Sequence, residues 1–168
     1  MSVAEHKEKE KKSVGCFVLT VSDTRDESTD QSGRLIKDLL TERGHRVAGY
    51  RIVKDEPLQI ESLLKEMLAI GDIDAVIVNG GTGIAPRDGT YEVVSRMLEK
   101  RLDGFGELFR FLSYQEIGSA AMMSRAVAGT AKDKILVSLP GSRAAVDLAL
   151  NRLILPELGH MVSQLRGK

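Results

Sequence analysis

The sequence is poor in the residues that mark disulfide-stabilised or base-stacking proteins. It has one cysteine and no tryptophan, and aromatic residues make up 4% of its 168 residues. A single cysteine cannot form an internal disulfide, and so few aromatic side chains exclude base stacking as a main mode of binding. Lys and Arg together number 24, as do Asp and Glu, so no overall positive field attracts polyanions. We therefore expect no nucleic-acid partner.

The chain also lacks an apolar run of about 20 residues, the length that spans a bilayer. Met1 leads into charged residues instead of an apolar signal segment. We therefore expect no membrane association and a cytoplasmic protein. Residues 1–13 mix lysine and glutamate without an apolar face and are expected to form a mobile tail; a basic arm for a polyanion is the alternative. Residues 14–168 have an even composition and are expected to form one domain.

Short apolar runs alternate with helix-like patterns along residues 14–168. Strands are predicted at residues 14–21, 45–53, 75–78 and 134–139. Helices are predicted after residue 33, from Pro57, after residue 90, at 107–114, at 119–127, after residue 142 and from Pro156. Gly44 is expected to end the first helix, and residues 104–106 are expected to break the pattern. Strands separated by helices favour right-handed βαβ units, so the predicted fold class is α/β, a three-layer α/β/α sandwich with a mostly parallel central sheet.

Polar and glycine-rich segments follow four of the predicted strands. They are Ser22-Asp23, Asp55-Glu56, residues 80–88 and residues 140–142. Parallel strands deliver their carboxyl ends to one edge of a sheet, where ligands of α/β folds bind. Polar turns also occur at this edge in every α/β fold, so each segment has an ordinary structural explanation as well.

The run NGGTGIAPRDGT, residues 79–90, is the most informative of these segments. Gly80, Gly81 and Gly83 are expected to take positive φ and to let backbone amides approach a phosphate closely. No Lys-Ser or Lys-Thr follows the last glycine and a proline stands where the dinucleotide fingerprint needs its third glycine, so neither nucleotide motif is present. Arg87 could pair with the phosphate and Asp88 could hold magnesium. A local ion pair or helix cap is the alternative.

Two further residues admit more than one interpretation. Asp55 could cap the helix that Pro57 begins, or it could be a second carboxylate at a metal or acid–base site with Asp88. Cys16 lies inside a strand and is interpreted as a small buried residue rather than a nucleophile. No zinc-ligand pattern is present.

Taken together and in order, several segments resemble the molybdenum cofactor biosynthesis protein B and Mog family. They are VLTVSD, IVKDEP, NGGTGIAPRDGT, GFGELFR, SRAVAG and LPGS, and the resemblance extends over residues 14–165. It implies a three-layer α/β/α fold that assembles into trimers or larger oligomers and binds molybdopterin. The best-understood members transfer AMP from Mg-ATP to the terminal phosphate of molybdopterin and release pyrophosphate. The resemblance therefore implies a molybdopterin adenylyltransferase, with ATP and molybdopterin as substrates.

The resemblance also implies which residues act. Asp55 and Asp88 match the two functionally important aspartates of the family, and we expect both to be catalytic and to hold Mg²⁺. The expected pterin- and nucleotide-binding residues are Ser22, Asp23, Gly80, Gly81, Thr82, Gly83, Arg87, Glu107, Ser113, Pro140, Gly141 and Ser142. One alternative is a non-catalytic molybdopterin-binding carrier. Another is a scaffold that works with other cofactor-assembly enzymes, which an apolar surface patch beside a closed pocket would favour.

Residues 102–114 hold four of the seven aromatic residues of the chain. A helix buries one stripe of its surface, so this density is expected to leave apolar side chains facing outward for self-association. The alternative is a segment wrapped entirely into the core. The resemblance favours a homotrimer, with a homohexamer of two trimers as the second choice.

Overall fold

A computed structural model describes residues 13–167, which form one layered α/β structure. The strands are β1 (Gly15–Val21), β2 (Arg46–Val53), β3 (Ala75–Asn79), β4 (Lys100–Arg101), β5 (Val127–Ala131) and β6 (Lys134–Leu139). The α-helices are α1 (Gln31–Glu42), α2 (Pro57–Ala69), α3 (Thr90–Met97), α4 (Asp103–Ile117), α5 (Arg143–Ala149) and α6 (Leu155–Leu165). A 3₁₀ helix follows α4 (Gly118–Met123), and a π-helical segment (Leu150–Ile154) joins α5 to α6. The predicted tail lies outside the described residues except for Ser13.

The six strands form one sheet in the order β2-β1-β3-β6-β5-β4. Strands β2, β1, β3 and β6 are parallel to one another. Strand β5 pairs antiparallel with both β6 and β4. The predicted mostly parallel sheet is confirmed, and the four parallel strands bring their carboxyl ends to one edge.

Both faces of the sheet are covered, which explains why the central strands are mainly apolar and are buried along their whole length. In β1, Cys16 and Val18 pack into the core formed with α1, α4, α5 and α6. The neighbouring Phe17 and Leu19 face the opposite way, into the core formed with α2 and α3. This alternation confirms the three-layer prediction, and Cys16 is buried as predicted.

The first helix ends where the sequence predicts. Gly44 has a φ of +80°, and its amide donates to the carbonyl of Thr41 at 3.0 Å. The next amide, that of His45, donates to the carbonyl of Leu40 at 2.9 Å. This pair of bonds is a Schellman motif, which requires the left-handed residue that glycine supplies.

Two predictions for the middle of the chain are wrong. Residues 104–106 do not break the pattern but lie in the first turn of α4, where the ring of Phe105 stacks on that of Phe109 with centroids 6.2 Å apart. Gly106 is buried and serves close packing, because a Cβ on it would lie 3.1 Å from the carbonyl oxygen of Ala126. The helix predicted at 119–127 is a 3₁₀ helix that ends at Met123, and its last predicted residue, Val127, begins β5.

Strands β4 and β5 were not predicted. Strand β4 is two exposed charged residues, and β5 has the composition VAGTA, which carries no apolar alternation. A Cβ on Gly129 would overlap the carbonyl oxygen of Lys100, so this glycine permits the close pairing of the two strands. In the part of the chain that the structure describes, no helix combines the length and apolar composition that crossing a bilayer requires.

Candidate functional site

A cavity of about 470 Å³ opens at the edge where β1, β3 and β6 end. We call it the glycine-loop cavity. Its lining residues are Val21, Ser22, Thr24, Arg25, Gly80, Gly81, Thr82, Gly83, Asp88, Phe109, Ser113, Ile117, Met123, Ser124, Pro140, Gly141, Ser142 and Ala145. Because β3 lies between β1 and β6 in the sheet, its glycine-rich loop forms the centre of the cavity. The predicted convergence of strand ends is therefore confirmed.

The cavity has two chemically different walls. The loops after β1, β3 and β6 supply hydroxyl groups, backbone and the guanidinium of Arg25. Helix α4 and the segment after it form the other wall, with the apolar side chains of Phe109, Ile117 and Met123 and the hydroxyl-bearing Ser113 and Ser124. Such a cavity suits a ligand that is anionic at one end and flat or apolar at the other.

Two glycines of the loop have the predicted positive φ and one does not. Gly80 has a φ of +102° and Gly81 a φ of +67°, and a Cβ on Gly80 would overlap the carbonyl oxygen of Val21. The prediction of positive φ at Gly83 is wrong. Gly83 is instead required by a close approach, because a Cβ there would lie 2.5 Å from Oδ2 of Asp88.

The carbonyl groups of the loop accept hydrogen bonds from residues outside the loop, whereas three of its amides make no hydrogen bond among the described residues. The guanidinium of Arg125 donates to the carbonyl of Thr82 at 3.1 Å and also to that of Gly83. The carbonyl of Gly81 accepts the amide of Thr90 at 3.1 Å. Within residues 13–167, the amides of Gly81, Thr82 and Gly83 have no hydrogen-bond acceptor. Consecutive unpaired amides in a glycine turn form a concave site for an anion.

Asp55 lies beneath this loop and is 5% exposed. Its Oδ1 accepts the amide of Gly89 at 3.1 Å, while α2 begins at an N-cap, Glu56, that makes no side-chain capping bond. The helix-cap interpretation of Asp55 is therefore wrong. Burial raises the pKa of the Asp55 carboxyl group above its ordinary value, and the negative charges of Asp88 and Asp23 raise it further against the Gly89 hydrogen bond.

Asp55 and Asp88 flank the glycine loop. The position of a Cβ on Gly81 would be 2.6 Å from Oδ2 of Asp55, and Oδ2 of Asp88 accepts the amide of Ala85 at 3.1 Å. Residues 13–167 contain no group of three or more His, Cys, Asp or Glu side chains that could hold a metal ion by itself. Proteins commonly bind Mg²⁺ through one or two carboxylates together with substrate phosphates. Burial raises the pKa of Asp55, the negative charge of Asp88 raises it further, and a nearby cation would favour the charged form of both carboxylates.

Arg87 and Asp23 lie at the rim and do not line the cavity. Nε of Arg87 donates to Oδ2 of Asp23 at 2.9 Å, and Nη2 donates to Oδ1 of Asp23 at 3.0 Å and to Oε1 of Glu56 at 2.8 Å. Arg87 thus joins the loops after β1, β2 and β3, and its ion-pair partners come from the other two loops rather than from Asp88. Hydrogen bonding from Arg87 lowers the pKa of Asp23.

Of the two predicted residues on α4, one lines the cavity. Ser113 is buried and contributes to the wall, whereas Glu107 is exposed and does not. Two arginines at the site were not among the predicted residues. Arg25 follows Ser22 by three positions in the loop after β1, and that position could have identified it as a candidate site residue. Arg125 stands in the quoted SRAVAG segment, but nothing in that segment indicates a contact with a loop more than 40 residues earlier.

Comparisons with known proteins agree on one family. A family model described as "Probable molybdopterin binding domain" matches residues 17–160. The chain is 53% identical to Molybdenum cofactor biosynthesis protein B of Halalkalibacterium halodurans over 166 residues, which cover 98% of each chain. It superposes on a crystal structure of Molybdenum cofactor biosynthesis protein B with a TM-score of 0.91 and 52% identity, covering 94% of this chain and 98% of the other. It superposes on the tungsten cofactor synthesizing protein MoaB of Pyrococcus furiosus with a TM-score of 0.81 and 37% identity, covering 93% and 99%.

Proposed function

This chain belongs to the family of probable molybdopterin binding domains, and from that membership we propose that it binds molybdopterin in molybdenum cofactor biosynthesis and transfers AMP from ATP to its terminal phosphate. The observation that carries the proposal is the row of three unpaired amides, of Gly81, Thr82 and Gly83, in a cavity at the carboxyl edge of the sheet. These amides suit a phosphate, and the related proteins are named for the synthesis of a cofactor.

The two walls of the glycine-loop cavity match the two ends of such a substrate. The phosphate would be held by the loop amides and by Arg25, whose side chain is one-third exposed and whose Nη1 also lies 3.8 Å from Oδ1 of Asp30. The flat pterin would lie against Phe109, Ile117 and Met123 on the opposite wall. This orientation directs the phosphate towards the aspartates that flank the loop.

The proposed reaction is a phosphoryl-type displacement at the α-phosphorus of ATP. A phosphate oxygen of molybdopterin forms a bond to that phosphorus as the bond to the bridging oxygen breaks, and pyrophosphate leaves with the electron pair. The nucleophile is already anionic, so the protein needs no strong base and must instead hold two anions together. The loop amides and Arg25 offset charge at the site of transfer.

Asp88 and Asp55 are the residues that would hold Mg²⁺. When bound together with ATP, the ion supplies positive charge beside the reacting phosphates. Burial and two neighbouring carboxylates raise the pKa of Asp55, which means that they disfavour its charged form. A bound cation would favour that charged form. Arg87 would act from the rim, by fixing the positions of the three loops that carry these groups.

The test is release of pyrophosphate from ATP by the purified protein with and without molybdopterin. Asp88→Asn and Asp55→Asn keep the oxygens that accept from Ala85 and Gly89 but remove the charge, and each should lower turnover about 10²- to 10⁴-fold. Asp38→Asn, on the exposed face of α1, is the matched control and should behave as wild type. A folded Asp88→Asn protein with wild-type turnover would remove Asp88 from the catalytic assignment.

The same assay separates the alternative functions. Molybdopterin binding without pyrophosphate release would identify a non-catalytic carrier. An apolar surface patch beside a closed pocket would favour the scaffold alternative, whereas the cavity here is open and is lined by unpaired amides. The open cavity therefore favours a ligand-binding function.

We also propose self-association, with a homotrimer preferred and a homohexamer second. Helix α4 and the 3₁₀ helix after it expose a patch that consists of Leu108, Phe111, Tyr114, Ile117 and Met122. We call it the α4 patch. The interpretation of residues 102–114 as wrapped entirely into the core is wrong, because Phe109 is buried while Phe111 is 59% exposed. An exposed aromatic and aliphatic surface of this kind is typical of subunit contacts.

A further inference from the structure

A second cavity, of about 260 Å³, lies between α4, the end of β4 and the segment that enters β5. Three arginines line it, Arg101, Arg110 and Arg125, together with the hydroxyl-bearing residues Tyr91 and Ser124. We call it the arginine cavity. Ser124 is the one residue that lines both this cavity and the glycine-loop cavity.

The positive charge of the arginine cavity is only partly offset. Arg125 pairs with Glu92, which is outside the lining, and Nε of Arg101 lies 3.5 Å from Oδ1 of Asp103, a side chain that is 74% exposed. Arg110 has no carboxylate partner within residues 13–167 and lies near two carbonyl oxygens instead, those of Ser124 and Ala126, each at 3.4 Å. The lining therefore holds three guanidinium groups and one carboxylate, that of Asp103, and the guanidinium of Arg110 is left without a carboxylate partner among the described residues.

The local backbone keeps the guanidinium of Arg110 in place. A Cβ on Gly106 would lie 2.8 Å from Nη2 of Arg110 and 3.1 Å from the carbonyl oxygen of Ala126, so the glycine leaves the space that this side chain occupies. The guanidinium of Arg125 lies over the ring of Tyr91, 4.7 Å from its centroid. Arg110 is therefore positioned by packing and by carbonyl groups rather than by a carboxylate, and Arg125 is held by the Tyr91 ring as well as by Glu92.

Polar groups without a strong partner also line the arginine cavity. The hydroxyl of Ser124 is buried and has no hydrogen-bond partner among the described residues. The hydroxyl of Tyr91 lies at 3.5 Å from Nη2 of Arg101, and hydrogen bonding from Arg101 lowers the pKa of that phenol. A buried unpaired hydroxyl is unfavourable unless a ligand satisfies it.

We propose that the arginine cavity binds a phosphoryl group, either as inorganic phosphate or as the terminal group of a small phosphate ester. The planar fork of a guanidinium matches the oxygens of a phosphate and holds two of them at once. The volume is below the range of about 300–1,000 Å³ for drug-sized ligands, so it suits a phosphate rather than a whole nucleotide. The site is formed by residues other than the aspartates and glycines of the proposed reaction, and it stands whether or not AMP is transferred.

Isothermal titration with inorganic phosphate tests the proposal, at a constant ionic strength set with sodium chloride so that screening does not vary. Arg101→Gln changes an exposed side chain and should weaken binding about tenfold, as expected for a lost hydrogen bond to a charged group. Arg110→Lys keeps the charge but removes the fork and should weaken binding similarly. Arg46→Gln, which removes an arginine from an exposed pair with Asp72 elsewhere on the protein, should leave the Kd unchanged.

A further variant shows which of the two cavities gives rise to the heat measured on adding phosphate. Arg25→Gln alters the glycine-loop cavity and should leave the affinity of the arginine cavity for phosphate as in wild type. Loss of binding in Arg25→Gln together with wild-type affinity in Arg101→Gln and Arg110→Lys would overturn the proposal, as would the absence of phosphate binding to the wild-type protein. A titration with glycerol 3-phosphate distinguishes the two sources: equal affinity indicates that an ester is accepted, and binding of inorganic phosphate alone indicates the free anion.

Discussion

The hydroxyl of Tyr50 donates a hydrogen bond of 2.6 Å to the buried carboxylate of Asp30. The same carboxylate accepts from Thr20 Oγ1 at 2.6 Å and from the amide of Gly33 at 3.0 Å, as the N-cap of α1. Burial alone would raise the pKa of Asp30, but these hydrogen bonds outweigh it, so the pKa lies below its ordinary value. A lowered carboxyl pKa contributes stability that is present above the ordinary Asp range and is lost as the pH falls through the folded-state value.

Replacing Tyr50 by phenylalanine should therefore destabilise the protein most clearly in acid. Loss of one donor to a buried carboxylate should cost about 1–3 kcal/mol in the free energy of unfolding. It should also move the acid-unfolding midpoint to higher pH, because the pKa of Asp30 rises. Urea unfolding between pH 7 and pH 3 measures both effects. Tyr114→Phe, at an exposed tyrosine, is the control, and equal behaviour of the two variants would contradict the prediction.

The Asp55→Asn variant should be at least as stable as wild type at pH 7. The pKa of Asp55 is raised chiefly by burial, so its ionisation opposes folding, and the opposition grows as the pH rises from the ordinary Asp value to the folded-state value. We expect a melting temperature higher by about 1–4 °C at pH 7, with the difference shrinking towards pH 4. Differential scanning calorimetry at several pH values measures it. The opposite result would be a melting temperature of Asp55→Asn below that of wild type at pH 7, with a smaller difference at pH 4. It would show that the charge of the carboxylate stabilises the fold.

Gly83→Ala should impair function more than folding. The new Cβ would lie 2.5 Å from Oδ2 of Asp88, so the carboxylate must move, and we expect turnover to fall about tenfold or more. Gly104→Ala is the matched control, since a Cβ there meets nothing within 4 Å and alanine should favour the first turn of α4 by up to about 1 kcal/mol. Turnover assays and thermal melts of both variants provide the comparison. Wild-type turnover in Gly83→Ala would mean that the position of Asp88 is unimportant.

Arg87→Lys tests whether Arg87 acts through geometry or through charge alone. Lysine keeps the positive charge but cannot reproduce the fork on both oxygens of Asp23. We expect turnover to fall about tenfold, as in Arg87→Gln. In both variants the hydrogen bonds through which Arg87 joins the three loops are weakened or lost. Arg96→Lys, at an exposed pair with Glu61, should have no effect. Near wild-type kinetics in Arg87→Lys would favour direct pairing with a phosphate.

Polar substitution in the α4 patch should weaken self-association. Phe111→Ser removes an exposed ring from the patch, whereas Leu58→Ser removes a still more exposed apolar side chain from α2, on the other face of the sheet. Light scattering across a tenfold dilution into the low-micromolar range should give a lower mass for Phe111→Ser alone. A wild-type mass that stays near the 18.4 kDa of one chain would refute self-association.

The sequence predicted the part of the fold that is covered on both faces. Strands β1, β3 and β6 are mainly apolar because helices cover them on each side, and each is followed directly by the loop that it positions. The edge strand β4 and its neighbour β5 carry no continuous apolar run, since β4 is two exposed residues and the pairing of β5 with β4 depends on a glycine contact across strands. Local patterns do not encode that contact.

The residues of the candidate site also differ in whether local sequence patterns could identify them. Residues at strand ends, such as Ser22 and Gly81, could be identified because their neighbours in the chain place them. The role of Arg125 could not be, since it depends on a guanidinium that reaches a loop from a distant segment. The positive φ expected at Gly83 failed for a related reason: the residue that demands a glycine there is a carboxylate five positions later, and sequence alone does not show where that carboxylate points.

The contacts of Arg125 have a consequence for the thermodynamics of binding. The guanidinium donates to the carbonyls of Thr82 and Gly83, and the carbonyl of Gly81 accepts the amide of Thr90. The peptide planes that carry the unpaired amides of Thr82 and Gly83 are therefore fixed before a ligand binds. Ordering a free loop would cost about 1–2 kcal/mol of conformational entropy for each residue fixed. Here that entropy is lost during folding, so a phosphate meets a preorganised surface and a larger share of its interaction energy appears as affinity.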